Sequence, residues 1–238
     1  MITTPDLLSQ LARIDEGRSD LIFRAKVEFD SAAFLAGLPD VGLEVIPSKD
    51  GPLSYVVDGG EPADKSKSTE TFDFHTDGLY RTNLPRYVLL YCIDAGSATV
   101  TTKLSDGKLA LQLIRKLPEP PRLDKLSAVY VARDGQRYPR SIVQQHPATG
   151  EDVLAFGSRA YFEPDLTGYP AIELPTLREA ARAGVTLFDA IDRCTCYEMI
   201  WSAHELLMFD NLRFVHKREA RQRDTDRRLL RVWLAPAK

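Results

Sequence analysis

From Thr71 onward the chain is a succession of short strand-like runs interrupted by only two stretches of helical spacing, and this texture restricts the fold more than any other feature. Candidate strands cover residues 71–74, 87–93, 98–103, 126–133, 141–145, 153–156, 197–201, 206–209, 212–216 and 227–234, with earlier runs at 21–29 and 43–46. The helical stretches are 106–117 and 177–193. A third, 5–14, places Leu7, Leu8, Leu11 and Ile14 on one face, with Asp6 in its first turn. Residues 58–70 carry no periodicity and many loop formers, which reads as a surface loop. Many short strands and few helices within 238 residues predict one domain, 1–238, mainly β with flanking helices, with an N-terminal helical segment, 1–20, packed on it. Periodicity does not choose between a closed barrel and two stacked sheets.

Lys and Arg number 31 against 34 Asp and Glu, a net charge of −3, which argues against a nucleic-acid binder. Apolar runs such as 87–93 are far too short for a membrane-spanning helix. The opening Met-Ile-Thr-Thr-Pro-Asp lacks the basic and apolar regions of an export signal. Three cysteines, an odd and low count, suit a reducing cytoplasm.

Three segments carry chemistry. In Phe74-His75-Thr76-Asp77-Gly78, residues two apart on an extended strand point the same way, so His75 and Asp77 can aim an imidazole nitrogen and a carboxylate at one point. A strand-end histidine beside a turn aspartate fits the same tripeptide. In residues 206–216 an apolar run ends in Asp210-Asn211 and a second leads to His216. If His216 folds back beside the pair, two histidines and one carboxylate make the facial set that holds non-haem Fe(II) and leaves positions open. In residues 227–234, Arg227 and Arg231 share one strand face, while Arg228, Leu230, Val232 and Leu234 share the other. An arginine inside a β-barrel needs an anion, because a buried unpaired charge is costly.

In this order, His75-Thr-Asp77-Gly, residues 85–92, Gly96-Ser-Ala-Thr99, His146-Pro-Ala-Thr-Gly150, Asp210-Asn211 to His216 and residues 227–234 resemble the Fe(II)/2-oxoglutarate-dependent dioxygenases of the taurine dioxygenase and clavaminate synthase-like group. The resemblance covers roughly residues 51–234. It implies a double-stranded β-helix, or jelly roll, with iron on His75, Asp77 and His216. It also implies that Arg227 and Thr99 hold the distal carboxylate of 2-oxoglutarate and that molecular oxygen is the oxidant. Arg231 stands where relatives contact substrate or co-substrate; the plainer alternative is a pairing with an acidic neighbour. His204-Glu205 departs from the Gly-Asp or Gly-Glu turn usual at that point in relatives.

The expected activity is hydroxylation of a small polar metabolite, an amino acid or related carboxylate, with desaturation and cyclisation open through the same chemistry. The expected partner is thus a small molecule, with no nucleic acid and no membrane; oligomeric state is not legible. Two other classes stay open: a non-catalytic jelly-roll binding or sensor protein, and a metal enzyme of different chemistry that would need neither Arg227 nor Thr99. His146 and His204 read as turn residues. Cys194-x-Cys196 lacks the second pair that a zinc site needs.

Overall fold

The computed structural model describes residues 1–14, 17, 20–48, 51–57, 71–96, 100–132, 135–157, 186–219 and 227–237. Its strands in chain order begin with β1 (Ile2–Thr3), β2 (Ile22–Glu28), β3 (Leu43–Val45), β4 (Ser54–Val57), β5 (Phe72–His75), β6 (Tyr87–Asp94) and β7 (Thr101–Asp106). They continue with β8 (Ser127–Val131), β9 (Arg137–Ser141), β10 (Val143–Gln145), β11 (Asp152–Leu154), β12 (Thr195–Ile200), β13 (Glu205–Asp210), β14 (Phe214–Arg218) and β15 (Arg228–Pro236). The helices are α1 (Thr4–Leu11), α2 (Ser31–Gly37) and α3 (Gly107–Arg115), and residues 186–193 are also helical.

The major sheet runs β1-β2-β13-β6-β15-β3, with β4 added to β15; the minor sheet runs β12-β7-β14-β5. Alternation along the central strands explains why they read as unbroken apolar runs. On β6, Tyr87, Leu89 and Tyr91 face one core with Leu7, Leu11 and Phe34 of α1 and α2. Val88, Leu90 and Cys92 face a second core that also takes Leu104 and Phe214 from the minor sheet. β13 and β15 divide in the same way: Leu206, Met208, Leu230, Val232 and Leu234 turn to the helices, and Leu207, Phe209, Leu229 and Trp233 to the opposite sheet. A strand buried on both faces has no polar side to show. The outer face of the minor sheet, through Phe74 and Val215, packs on α3 and on Leu187 and Ile191. Each such large apolar side chain contributes about 1.5–3 kcal/mol when fully buried. Two sheets face to face with helices outside is the jelly-roll arrangement that the family resemblance implies.

The departures have local causes. The strand expected at 212–216 lies at 214–218, because Asp210 Oδ1 accepts from the Leu212 and Arg213 amides and holds the chain in a turn through 211–213. α2 is absent from the sequence reading; its seven residues are too few for periodicity, and Asp30 starts it by accepting from the Ala32 and Ala33 amides. α1 begins with a capping box in which Thr3 and Asp6 exchange hydrogen bonds, so Asp6 does more than sit in the first turn. His204 has φ 67°, the left-handed region that favours glycine; the Tyr91 hydroxyl meets its Nδ1 at 2.9 Å and helps hold it there. The expected loop 58–70, and the first part of the helix expected at 177–193, lie outside the described residues. No helix among the described residues is long and apolar enough to cross a membrane.

Candidate active site

β5 and β14 are antiparallel neighbours, and their register puts His75 directly opposite His216, with ring centroids 4.1 Å apart. The chain leaves β5 after His75, and Asp77 is fixed two residues on by its backbone. Its amide donates to Asn211 Oδ1 at 2.8 Å, and Asn211 Nδ2 donates to the carbonyls of Asp77 (3.1 Å) and Pro85 (2.9 Å). Gly78 then turns away with φ 80°, and a Cβ there would lie 2.5 Å from Pro85 Cδ, so two independent constraints require glycine. Behind Asn211, the buried Asp210 accepts from Arg86 Nε at 2.9 Å and lies 3.0 Å from His146 Nε2. His146 thus supports the turn that grips Asp77 and is not part of the metal-binding set.

His75, Asp77 and His216 are all buried and offer ligand atoms within 4.8 Å of one another. His75 Nδ1 lies 2.7 Å from the Asp73 carbonyl. A carbonyl can only accept, so Nδ1 carries a proton, which leaves Nε2 as the nitrogen that can offer a lone pair to the site. That Nε2 is buried and has no hydrogen-bond partner among the described residues, which is what an imidazole awaiting a metal shows. Burial, then the neighbouring His75, lowers the His216 pKa to about 3, so its ring is neutral and free to ligate at neutral pH. Burial pushes the Asp77 carboxyl upward, but Arg231, His75 and His216 outweigh it and hold the group well below the usual carboxylate range. The donor set is two imidazoles and one carboxylate, which fits a divalent iron.

Two donors converge on one oxygen of Asp77. Trp233 Nε1 donates to Oδ2 at 2.8 Å, and Arg231 Nη1 lies 3.4 Å from the same atom. Oδ1 faces His75 Nε2 at 3.6 Å. The indole thus orients the carboxylate so that Oδ1 is presented beside His75. Trp233→Phe removes the N–H and leaves a smaller aromatic ring in the core, and it should raise the dissociation constant for Fe(II) or Co(II) about 10–100-fold, as loss of such supporting bonds does. An unchanged constant in a metal titration would remove Trp233 from the site. Trp233 lies two residues beyond Arg231 on the same strand face, so the alternation that relates Arg227 to Arg231 could have found it.

The triad opens on a pocket enclosing about 450 Å³ of empty space, part of it open to solvent, whose lining includes Arg227, Arg218, Arg231, Thr102 and the two histidines. Arg227 is 1% exposed, yet its Nε and Nη1 have no hydrogen-bond partner among the described residues. Burial lowers its pKa to about 10. Arg231 also faces the site, donating to Asp77 and to Ser54 Oγ, so the plainer alternative of an acidic neighbour is realised in part. Thr99 lies outside the described residues. Thr102, which the sequence reading passed over, lines the pocket; its Oγ1 accepts from Trp201 Nε1 at 2.8 Å, leaving the hydroxyl proton to donate.

Comparison with known proteins agrees with this geometry. The family model for the taurine catabolism dioxygenase TauD, TfdA family matches residues 4–233. Tyrosine isonitrile desaturase of Pseudomonas aeruginosa is 28% identical over 174 residues, 66% of this chain, and the match spans only 57% of that protein's length. The structure of PvcB, an Fe, alpha-ketoglutarate dependent oxygenase from an isonitrile synthetic pathway, superposes with a TM-score of 0.73 at 23% identity, covering 98% of this chain and 81% of that one. A taurine dioxygenase from Burkholderia xenovorans gives 0.64 at 18% identity, covering 97% and 80%. The two structural likenesses establish the jelly-roll fold.

Proposed function

Because the chain belongs to the TauD/TfdA family of taurine catabolism dioxygenases, we propose that it is an Fe(II)- and 2-oxoglutarate-dependent oxygenase that hydroxylates an unactivated C–H bond of a small polar metabolite, an amino acid or related carboxylate. The observation that carries this reading is Arg227, a buried guanidinium with unpartnered N–H groups in the same pocket as the triad. A binding or sensor protein would bear that cost without return, and a metal enzyme of other chemistry has no use for an anion there.

In this reading His75 Nε2, Asp77 and His216 hold the iron, Arg227 fixes the distal carboxylate of 2-oxoglutarate, and Thr99 adds a hydroxyl donor. Bound iron would supply the oxygen activation and hydrogen abstraction that side chains cannot perform. The protein's share is placement and dryness. Arg227 sets the depth of the co-substrate through a charge-assisted contact. Leu90, Leu229 and Val56 in the pocket wall keep water from the reacting centre. Similarity to tyrosine isonitrile desaturase favours desaturation as a second reading. The three free cysteines are compatible with a reducing cytoplasm as the place of action.

The test is succinate release across amino acids and small carboxylates, with products weighed by mass spectrometry. Activity should need Fe(II), oxygen and 2-oxoglutarate together. A product gaining one oxygen supports hydroxylation, and one losing two hydrogens supports desaturation. Failure to bind Fe(II) and 2-oxoglutarate would revive the sensor reading.

A further inference from the structure

The segment His146-Pro-Ala-Thr-Gly150 closes the hairpin between β10 and β11. Its backbone bonds, from the His146 N–H to the Glu151 carbonyl and from the Gly150 N–H to the His146 carbonyl, are both 2.8 Å long. The turn they shape puts a buried imidazole against the Asp210 carboxylate. The Ala148 amide donates to His146 Nδ1 at 3.3 Å, so Nε2 is the nitrogen that carries the proton, and it donates to Asp210 Oδ2 at 3.0 Å. The backbone bonds alone close this hairpin, so the imidazole contact needs a separate reason.

That reason lies in how Asp77 is held. β5 ends at His75, and the two residues beyond it are gripped by two other segments. The extension of β11 holds Thr76, whose amide donates to the Phe156 carbonyl at 2.7 Å. The Thr76 hydroxyl donates to the Leu154 carbonyl and accepts from the Phe156 amide, each at 3.3 Å. Asn211 holds Asp77, its one side-chain amide serving both the backbone N–H and the carbonyl. The first grip grows out of the His146 hairpin. The second stands on the turn that Asp210 builds through the Leu212 and Arg213 amides. The His146–Asp210 bond ties the two together inside the protein, and Arg86 Nε answers the charge on the same Oδ2 at 2.9 Å. A carboxylate whose backbone can swing is in position for only part of the time, and its affinity for an ion falls by that fraction.

We propose that His146 is a positioning residue for the metal: its bond to Asp210 locks the two grips on residues 76 and 77 in register and so aims the Asp77 carboxylate. This rests on the reading of the triad as an iron site, and it gives the His-Pro-Ala-Thr-Gly segment a task in metal retention beyond closing a turn.

The test is anaerobic titration of the full chain with Fe(II) and Co(II), followed by calorimetry, with thermal melting alongside. His146→Asn keeps an amide but stops short of Asp210, and it should raise the metal dissociation constant about 3–30-fold, the range for residues that act through a network. His146→Gln carries its amide nitrogen to the place of Nε2 and should restore most of the affinity. The Co(II) absorption spectrum should change in the Asn variant and return in the Gln variant. Lys108→Met, which breaks the Lys108–Glu151 pair on the same hairpin, is the control for general loosening and should leave the metal constant unchanged. In the unaltered protein, metal binding should slow amide hydrogen exchange at Ala148 and Gly150 as well as at Asp77, because coupling is reciprocal; that measurement stands even where the His146 variants do not fold. An Asn variant that binds metal within about twofold of the unaltered protein, equal affinities in the Asn and Gln variants, or exchange at Ala148 and Gly150 that ignores the metal overturns the proposal. If the unaltered protein takes up no metal, the first titration records it, and the oxygenase reading falls together with this one.

Discussion

Replacing His75, Asp77 or His216 by alanine should abolish succinate production and weaken Fe(II) binding by more than about 100-fold, beyond what loss of a supporting contact alone costs. The three changes reach that end differently. His75→Ala removes an Nε2 that faces Asp77 and is buried without a hydrogen-bond partner among the described residues. His216→Ala removes a ring that is neutral at working pH because burial and His75 lower its pKa to about 3. Asp77→Ala removes the anionic member and leaves the Trp233 N–H and the Arg231 guanidinium facing an empty space. Stripping one partner from a buried charge pair costs about 3–5 kcal/mol, so Asp77→Ala should also lower the melting temperature most. Metal content and thermal melting measured side by side separate ligand loss from unfolding. A folded variant that keeps its metal and most of its activity shows that the altered residue is not a ligand.

His75 and Asp77 were legible as a pair because their constraint is short-range: they are two residues apart where the chain leaves a strand. His216 joins them across a strand pairing that periodicity does not give, and it was legible through the resemblance; in the structure the Asn211 side chain of the preceding turn reaches Asp77. Arg227 was legible through alternation along 227–234. The shift of β14 to 214–218 was not, because it depends on Asp210 accepting two specific amides. Thr102 was invisible for another reason. It matters through its neighbours on two other strands of its own sheet and through the Trp201 indole. Period-two reasoning shows which face of a strand a residue occupies. It does not show which distant strand closes over that face.

Arg227→Ala should raise the 2-oxoglutarate requirement more than any change outside the triad. Losing one partner of a desolvated charge pair costs about 2–5 kcal/mol, and each 1.4 kcal/mol is tenfold, so the dissociation constant should rise from about thirtyfold to a few thousandfold. The unliganded protein should respond in the opposite direction. Arg227 is buried with two nitrogens unpartnered among the described residues, and a charge in that state destabilises the fold until an anion arrives. Arg227→Met fills the space with apolar atoms and should therefore raise the melting temperature of the unliganded protein while removing the extra stability that saturating 2-oxoglutarate gives the unaltered chain, about 2.7 kcal/mol at a hundred times its dissociation constant. Arg228 is the control. It is exposed and sits at an irregularity where the β15–β6 register shifts between Arg228 and Leu229, after which Leu229, Arg231 and Trp233 turn to the inter-sheet side. Arg228→Ala should change stability by no more than about 0.5 kcal/mol and leave 2-oxoglutarate binding untouched. A reversed ranking of Arg227 and Arg228 would place the anion on the other face of β15. An Arg227→Met protein that melts lower without ligand would mean that the guanidinium is already paired in the fold and is not held in reserve for 2-oxoglutarate.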